Sequence, residues 1–287
     1  MEWIELSHEP KLNTLVSFWL SLLRAYFRVE IEGLEHLPKG VGAIIAPNHS
    51  GFAGADAALL AHIIKRETKR RPRMLAHRAY FDVSKTLKEL SESFGLKRAC
   101  FENGLEVLNR KHLLIVFPEG EAGNFKSSLK RYELQRFHTG FIRMAVETGA
   151  PIIPCAVVGA EESNFNLGNI DLTKWVKGLR IPLPVNLLPL PAKWKIKILP
   201  PVNPKSILVG AYEDKEKLQA VADSIQEQVK QAIKEELDKR PYIYTEKTRE
   251  WFNQAATTVQ EWIPNSLLKR IKKKTRKSRH SSDKDSV

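Results

Sequence analysis

Residues 42–56 read Gly-Ala-Ile-Ile-Ala-Pro-Asn-His-Ser-Gly-Phe-Ala-Gly-Ala-Asp, and this stretch decides the fold. Its first part, Gly42 to Ala46, is a short apolar run, which predicts a strand. The polar residues that follow lead into a helix that opens at Asp56. The Asn48-His49 pair therefore lies at the mouth of a buried strand, where open α/β sheets usually hold their active sites.

Short apolar runs alternate with helical periodicity along the rest of the chain. The runs that predict strands are 42–46, 74–76, 113–117, 152–158 and 194–199, and the helical patterns cover 56–65, 83–94, 140–148 and 215–239. Strands interleaved with helices predict an α/β fold. We expect a single domain with a mainly parallel or mixed central sheet flanked by helices, plus amphipathic terminal helices.

The N-terminal amphipathic helix spans residues 12–27 and has a wide apolar face. Large apolar residues, among them Trp19 and Phe27, occupy one side, and Ser17, Ser21 and Arg24 lie on the other. The default interpretation is that the apolar face packs on the core of the protein. The content of Trp and Phe also fits an interfacial membrane helix, so both interpretations stay open.

The C-terminal region combines an aromatic helix with a cationic tail. Residues 245–263 place Trp251, Phe252 and Trp262 in one helical stripe, and the segment from Lys269 onward has nine cationic side chains against two carboxylates, about half of the net charge of +13. Such a tail usually meets an anionic surface, either lipid or nucleic acid. Because the aromatics form one stripe and are not interleaved with the cations, the pattern favours an anionic membrane surface, and no nucleic acid is expected.

The predicted domains are an N-terminal helix region (1–36), a catalytic domain (37–240) and the C-terminal helix with its tail (241–287). The longest uncharged stretches, 12–23, 148–160 and 181–192, are too short to span a bilayer, so no transmembrane helix is predicted. The start of the chain also lacks the pattern of a signal peptide. We therefore expect a peripheral protein on the cytoplasmic side of a membrane.

A proline-rich segment, Leu179 to Ala192, contains Pro182, Pro184, Pro189 and Pro191 among apolar residues. These prolines exclude a helix interior and a central strand, so an irregular apolar loop is predicted. Either it covers the core, or it forms a wall of a substrate groove or a membrane contact.

The sequence lacks several catalytic signatures, including GxSxG, the P-loop, GxGxxG and HExxH, and its two cysteines have no metal-ligand spacing. No metal site is predicted. His49 is a candidate general base, with Asp56 as the carboxylate that holds its tautomer. The alternatives are that Asp56 caps its helix and that His49 is a structural histidine.

A second cluster, Phe117-Pro118-Glu119-Gly120, also follows a predicted strand directly. Its glycine allows the backbone to approach a ligand, and its carboxylate can orient a hydroxyl. The alternative is a tight turn with an exposed glutamate.

Together, the two clusters resemble the glycerolipid acyltransferase family that includes lysophosphatidic acid acyltransferases. Asn48, His49 and Asp56 match its first motif, and residues 117–120 match its third motif without change. Residues 151–154, which end at Pro154, match its fourth motif. The resemblance covers roughly residues 30–240, and this combination of motifs is far more specific than any one of them.

Three positions depart from the pattern of the family. Six residues separate His49 from Asp56, where the family usually has four, although the glycines in between allow the loop to double back. Phe101 stands where the second motif has an arginine, and Arg98 is a possible substitute. His138 stands where the family usually has a lysine. The last two departures remove positive charge from the expected phosphate site.

The resemblance implies an O-acyltransferase that uses acyl-CoA or acyl-ACP as co-substrate and no other cofactor. The expected acceptor is a lysophospholipid such as 1-acylglycerol-3-phosphate, in phospholipid biosynthesis. A neutral lipid alcohol such as diacylglycerol, or a non-catalytic lipid-binding role on the same scaffold, are the alternatives. The predicted catalytic residues are His49 and Asp56, and the predicted substrate-binding residues are Asn48, Glu119, Gly120, Arg98 and Pro154.

Overall fold

A computed structural model of the chain describes residues 10–49, 54–124, 126–171, 180–184, 186, 188–203, 214–240 and 243–244. The chain divides into two compact units, residues 1–243 and residues 244–287. The predicted helix over 245–263 and the cationic tail lie outside the described residues. The predicted three-part division of the chain stays a prediction.

The regular elements below are those of the described residues. The helices are α1 (Pro10–Tyr26), α2 (Ala55–Thr68), α3 (Ala79–Asp82), α4 (Lys85–Ser93), α5 (Phe101–Asn109), α6 (Glu121–Asn124), α7 (Gly140–Thr148), α8 (Ala160–Ser163) and α9 (Lys215–Lys239). The strands are β1 (Glu30–Glu32), β2 (Ala43–Pro47), β3 (Arg73–Ala76), β4 (Leu96–Arg98), β5 (Leu113–Ile115), β6 (Ile152–Val158), β7 (Asn166–Asp171), β8 (Arg180–Pro184) and β9 (Lys195–Ile198).

Within the described residues, the central sheet has seven strands in the order β1-β9-β6-β2-β5-β3-β4. Its centre is parallel, since β2 pairs with β5 and β6, and β3 pairs with β5 and β4, all in the parallel sense. Only β9 runs antiparallel to its neighbour β6. The predicted α/β fold with a mixed sheet flanked by helices is therefore confirmed.

The main core joins one face of this sheet to α5, α7 and α9. Alternate residues of β2, Ile44 and Ala46, point into this core, where they meet side chains such as Val107 and Phe141. Every residue of β2 and β6 is buried, as expected for strands covered on both faces. The carboxyl end of β2, which precedes Asn48 and His49, is consequently held by the best-packed part of the molecule.

The prediction of an irregular loop over Leu179 to Ala192 was wrong for residues 180–184. These residues form β8, which pairs with β7 in a separate antiparallel sheet of two strands. Pro182 and Pro184 are compatible with this arrangement because each strand of a two-stranded sheet leaves one edge unpaired. The prolines do exclude a central strand, but they permit an edge strand.

The N-terminal helix α1 docks through a mixed side, on which Leu20 and Leu23 are half-buried together with the polar Ser21. Ser21 Oγ lies 3.2 Å from His62 Nε2 of α2, and Arg24 binds Glu67 of the same helix at 2.8 Å. Phe18, Trp19, Leu22 and Tyr26 are exposed on the opposite side. The default expectation, that the large apolar face packs on the core, is therefore wrong for Trp19, Leu22 and Tyr26, whereas Phe27 of the same predicted face is buried.

The end of α1 is nevertheless fixed firmly to the sheet. Phe27 and Trp194 are both buried and stack with their ring centroids 4.5 Å apart. Trp194 N–H donates to Phe27 O, and Glu30 N–H donates to Trp194 O.

No helix within the described residues combines the length and the apolar character that crossing a bilayer requires.

Candidate active site

The candidate site lies at the sheet edge where the parallel strands end. His49 follows β2, Glu119 follows β5, His77 follows β3 and Glu161 follows β6. Because parallel strands present their carboxyl ends at the same edge, these side chains come from distant parts of the sequence to one place. We refer to this edge as the catalytic edge.

The structure brings His49 and Asp56 together across their six-residue spacer. His49 Nδ1 lies 2.8 Å from Asp56 Oδ2, and the Asp56 side chain is fully buried. Gly54, with a φ of 76°, turns the chain into α2 directly before Asp56. Asp56 Oδ1 also accepts the N–H of Ala57, so this carboxylate fixes both the start of α2 and the imidazole of His49.

The side chain of Asn48 links two central strands by hydrogen bonds. Its amide donates to Val157 O at 3.0 Å and accepts the Val157 N–H at 2.7 Å. The side chain is fully buried, so both of its polar atoms are engaged in β6. We expected Asn48 to bind substrate, whereas its observed contacts hold β2 to β6 immediately before His49.

Glu119 is buried as well, and its carboxylate binds backbone amides. Oε1 accepts the His49 N–H at 2.9 Å, and Oε2 accepts the Gln135 N–H at 2.7 Å. These contacts position the backbone of His49, and the expected role of Glu119 in positioning the acceptor stays a prediction. Gly120 closes the turn with a φ of 59° and lies beside the ring of His138.

Two close contacts fix the imidazole ring and its backbone. Phe117 stacks on His49 with ring centroids 4.1 Å apart. Helix α6 also approaches closely, since a Cβ atom added to Gly123 would lie 2.7 Å from Glu119 Cβ and 3.0 Å from His49 Cβ. Only glycine at position 123 leaves room for the carboxylate and the histidine together.

We predict that G123A displaces Glu119 or His49 and lowers the free energy of unfolding by about 1–3 kcal/mol, the usual range for overpacking. Denaturant unfolding of the full chain measures this change. The matched control is G140A, because a Cβ atom at Gly140 meets nothing within 4 Å. Equal stability of G123A and G140A would show that α6 does not press on the site.

Behind Glu119 lies a buried charge network that was not predicted from the sequence. Lys126 Nζ is 2.8 Å from Glu161 Oε1 and 3.9 Å from Glu119 Oε2, and all three side chains are almost fully buried. Glu161 Oε2 accepts the Tyr132 N–H at 2.9 Å. Burial raises the pKa of the Glu161 carboxyl, and the charge of Lys126 opposes this rise.

The network gives a pH-dependent prediction for K126M. Without Lys126, ionised Glu161 has no buried counter-charge, and removal of one partner of such a pair costs about 3–5 kcal/mol. A carboxyl whose pKa is raised by folding destabilises the fold as the pH rises above the pKa that this carboxyl has in the unfolded chain. K126M should therefore lose more stability at pH 8 than at pH 5.5 in urea unfolding.

The double variant K126M/E161Q provides the control for this prediction, because it removes the buried anion together with its partner. It should recover most of the lost stability and flatten the pH dependence. A loss for K126M that is the same at both pH values would contradict an electrostatic role for Lys126.

The remaining predicted residues lie farther from His49. Arg98, at the end of the edge strand β4, pairs with Asp82, and three strand spacings of about 4.8 Å separate β4 from β2. Pro154 is buried in β6, where Leu199 N–H donates to its carbonyl. The structure therefore groups His49, Asp56 and Glu119 but leaves Arg98 and Pro154 outside this cluster.

A different cation lies at the position where the resemblance implies an arginine. The guanidinium carbon of Arg143, in α7, lies 5.3 Å from the ring centroid of Phe101. Phe101 begins α5, and both helices start at the catalytic edge. Sequence reasoning did not single out Arg143, because 42 positions separate it from Phe101 along the chain.

Comparison with known proteins agrees with this geometry. Residues 28–158 match the family model described as Acyltransferase. Uncharacterized proteins of Mycobacterium tuberculosis and Mycobacterium bovis are 31% identical in an alignment of 243 residues, and the match covers 80% of this chain and 68% of each relative. The crystal structure of the 1-acyl-sn-glycerophosphate acyltransferase PlsC of Thermotoga maritima shares the fold, with a TM-score of 0.52 and 20% identity over 81% of this chain and 85% of that chain.

Proposed function

This chain belongs to the glycerolipid acyltransferase family, and on that premise we propose that it transfers a fatty acyl group to a lipid hydroxyl. The acyl donor is a thioester, either acyl-CoA or acyl-ACP, and the product is an ester. The contact between His49 Nδ1 and Asp56 Oδ2 carries this proposal, because it prepares one histidine for proton transfer at the catalytic edge.

The reaction we propose needs no covalent enzyme intermediate and no cofactor. Ionised Asp56 keeps the proton on Nδ1 of His49, which leaves Nε2 unprotonated. Nε2 removes the proton of the acceptor hydroxyl as its oxygen attacks the thioester carbonyl carbon. The carbon–sulfur bond then breaks, and the imidazolium returns the proton to the departing thiolate.

We predict that H49A and D56N each lower kcat by about 10²–10⁴, the usual contribution of general base catalysis. In D56N, Oδ1 can still accept the Ala57 N–H, but the new amide opposite Nδ1 favours the tautomer with the proton on Nε2. Acyl transfer is measured by mass spectrometry of the lipid products, and unfolding midpoints check the fold. A near-wild-type rate for H49A would falsify the mechanism, and a loss of stability alone in D56N would make Asp56 a helix cap.

For the acceptor, we propose a lysophospholipid such as 1-acylglycerol-3-phosphate, as in phospholipid biosynthesis. The support is the guanidinium of Arg143 over Phe101, which returns a cation to the neighbourhood of the missing arginine. Arginine binds phosphate with paired hydrogen bonds. The second candidate is a neutral alcohol such as diacylglycerol, which is favoured by Phe101 and His138 in place of cations.

Substitution of Arg143 separates these two acceptor classes. We predict that R143Q raises KM for 1-acylglycerol-3-phosphate about tenfold, because one hydrogen bond to a charged group contributes at least about 1.4 kcal/mol of binding free energy. It should leave KM for a neutral acylglycerol unchanged. The control is R110Q, because Arg110 lies at the far end of α5 and pairs with Glu106. An equal effect of R143Q on both acceptors would exclude phosphate binding by Arg143.

An assay of acyl transfer by the wild-type protein tests the alternative of a purely binding role. We propose that the protein works at a membrane surface, because both the acceptor and the product carry acyl chains. A wild-type protein that transfers no acyl group to any of these acceptors, from acyl-CoA or from acyl-ACP, would leave lipid binding on the same scaffold as its function.

A further inference from the structure

The catalytic edge holds a second imidazole–carboxylate pair, which the proposed mechanism does not use. His77 directly follows β3, and Glu121 is the first residue of α6. His77 Nε2 lies 2.9 Å from Glu121 Oε1, and the two side chains are 40% and 41% exposed. An ion pair that is so open to solvent contributes little to stability. Any effect of this pair is therefore expected on the position of α6 and not on the stability of the fold.

Glu121 lies between two contacts that its segment makes with the catalytic histidine. Two residues before it, Glu119 Oε1 accepts the His49 N–H at 2.9 Å. Two residues after it, Gly123 packs so closely that an added Cβ atom would lie 3.0 Å from His49 Cβ. Because short stretches of backbone join Glu121 to both contacts, a displacement of Glu121 is transmitted to His49.

The other end of α6 is fixed by a buried ion pair. Lys126, just after this helix, lies 2.8 Å from Glu161 Oε1, and their side chains are 6% and 7% exposed. Glu161 follows β6, whereas His77 follows β3, and these two strands flank β2 and β5 in the sheet. Helix α6 is thus attached on both sides of the strands that end at the catalytic histidine and at Glu119. The attachment to His77 is the one that is open to solvent.

The turn that begins at His77 also reaches the loop before Asp56. Tyr80 N–H donates to His77 O at 3.1 Å. The Tyr80 hydroxyl lies 3.9 Å from the place of a Cβ atom at Gly54, which precedes α2. Burial raises the pKa of Tyr80, and the nearby charge of Asp56 raises it further. One short turn therefore contacts α6 through His77 and the start of α2 through Tyr80.

We propose that His77 and Glu121 are positioning residues for acyl transfer, because their contact holds α6 against the backbone of His49. This inference rests on the proposed function, since it concerns the reaction of that histidine. The pair acts through α6 and Glu119, without touching a substrate. A misplacement of about 1 Å in a reacting group lowers a rate by up to about 10²-fold. The pair should therefore affect kcat and leave the binding of the acceptor unchanged.

The first test substitutes Glu121. We expect E121A to lower kcat about tenfold and to change KM for 1-acylglycerol-3-phosphate and for a neutral acylglycerol by less than about twofold. The urea midpoint should stay at the wild-type value. E121Q should restore most of the rate, because its amide oxygen still accepts a hydrogen bond from Nε2 of His77. The matched control is E106A, since Glu106 is also 41% exposed and pairs with Arg110 at 3.2 Å, at the far end of α5.

A double-mutant cycle tests whether His77 and Glu121 act together. H77A should lower kcat as E121A does, and H77A/E121A should lower it no further, because each variant removes the same contact. Additive losses in the double variant would overturn the proposal. A higher KM of H77A for the phosphate acceptor alone, with kcat retained, would also overturn it and would make His77 a phosphate ligand. So would a fall in the urea midpoint that accounts for the lost activity.

Hydrogen exchange of the His49 amide, measured by NMR without substrate, separates this inference from the proposed function. Glu119 accepts this N–H, so E121A should raise its exchange rate about tenfold, and E106A should not change it. Wild-type exchange and wild-type kcat in E121A would overturn the inference and leave the proposed function intact. Faster exchange in E121A, in a protein that transfers no acyl group, would refute the proposed function alone.

Discussion

The candidate site depends on one buried carboxylate, that of Glu119. Its two oxygens accept the N–H groups of His49 and Gln135, which come from segments on opposite sides of β5 in the sequence. A charged acceptor makes such hydrogen bonds stronger than neutral ones do, but only if the charge is compensated where it is buried. Lys126 supplies that compensation and is itself held by Glu161.

This arrangement explains how residues 131–138 are held in place without regular secondary structure. Its backbone is bound at intervals by side chains from elsewhere: Gln135 N–H by Glu119, Tyr132 N–H by Glu161, and Gln135 O by Gln226 of α9. Tyr132 itself has a φ of 62°, a conformation that a bulky residue adopts only when its surroundings require it. The loop is thus part of the rigid frame that holds His49, and its contacts replace those of a helix or strand.

Most of the sheet could be predicted, because its central strands are short apolar runs, and such runs indicate buried strands. The strands at or near the edges, β1 and β4, were missed, since three residues such as Glu30–Glu32 carry no periodic signal. The contact between His49 and Asp56 was anticipated from the motif and the intervening glycines. The role of Glu119 was not, because a glutamate in a turn is read as exposed, and its partners Gln135 and Lys126 are recognised only in the folded chain.

Helix α1 shows a different limit of sequence reasoning. The amphipathic pattern was identified correctly, but the pattern does not say which side faces the protein. Ser21 and Arg24 give α1 specific polar contacts with α2, whereas Trp19 and Leu22 are exposed. The apolar residues that the pattern groups together are divided in the structure, since Leu20, Leu23 and Phe27 are half-buried or buried and Trp19 and Leu22 are exposed.

The buried charges at the catalytic edge are each held by their own partners. Four buried carboxylates converge at the catalytic edge, and each has its own donors: Asp56 has His49 and Ala57, Glu119 has two amides, Glu161 has Tyr132 and Lys126, and Glu162 has Arg240. Two cations, Lys126 and Arg240, face these four anions, so hydrogen bonds from backbone amides and from His49 supply the rest of their stabilisation. The proposal that the acceptor carries a phosphate therefore needs a further cation outside this buried group. Arg143 is such a cation, with its guanidinium carbon 5.3 Å from the ring centroid of Phe101, which is one of the positions where this chain departs from the pattern of its family.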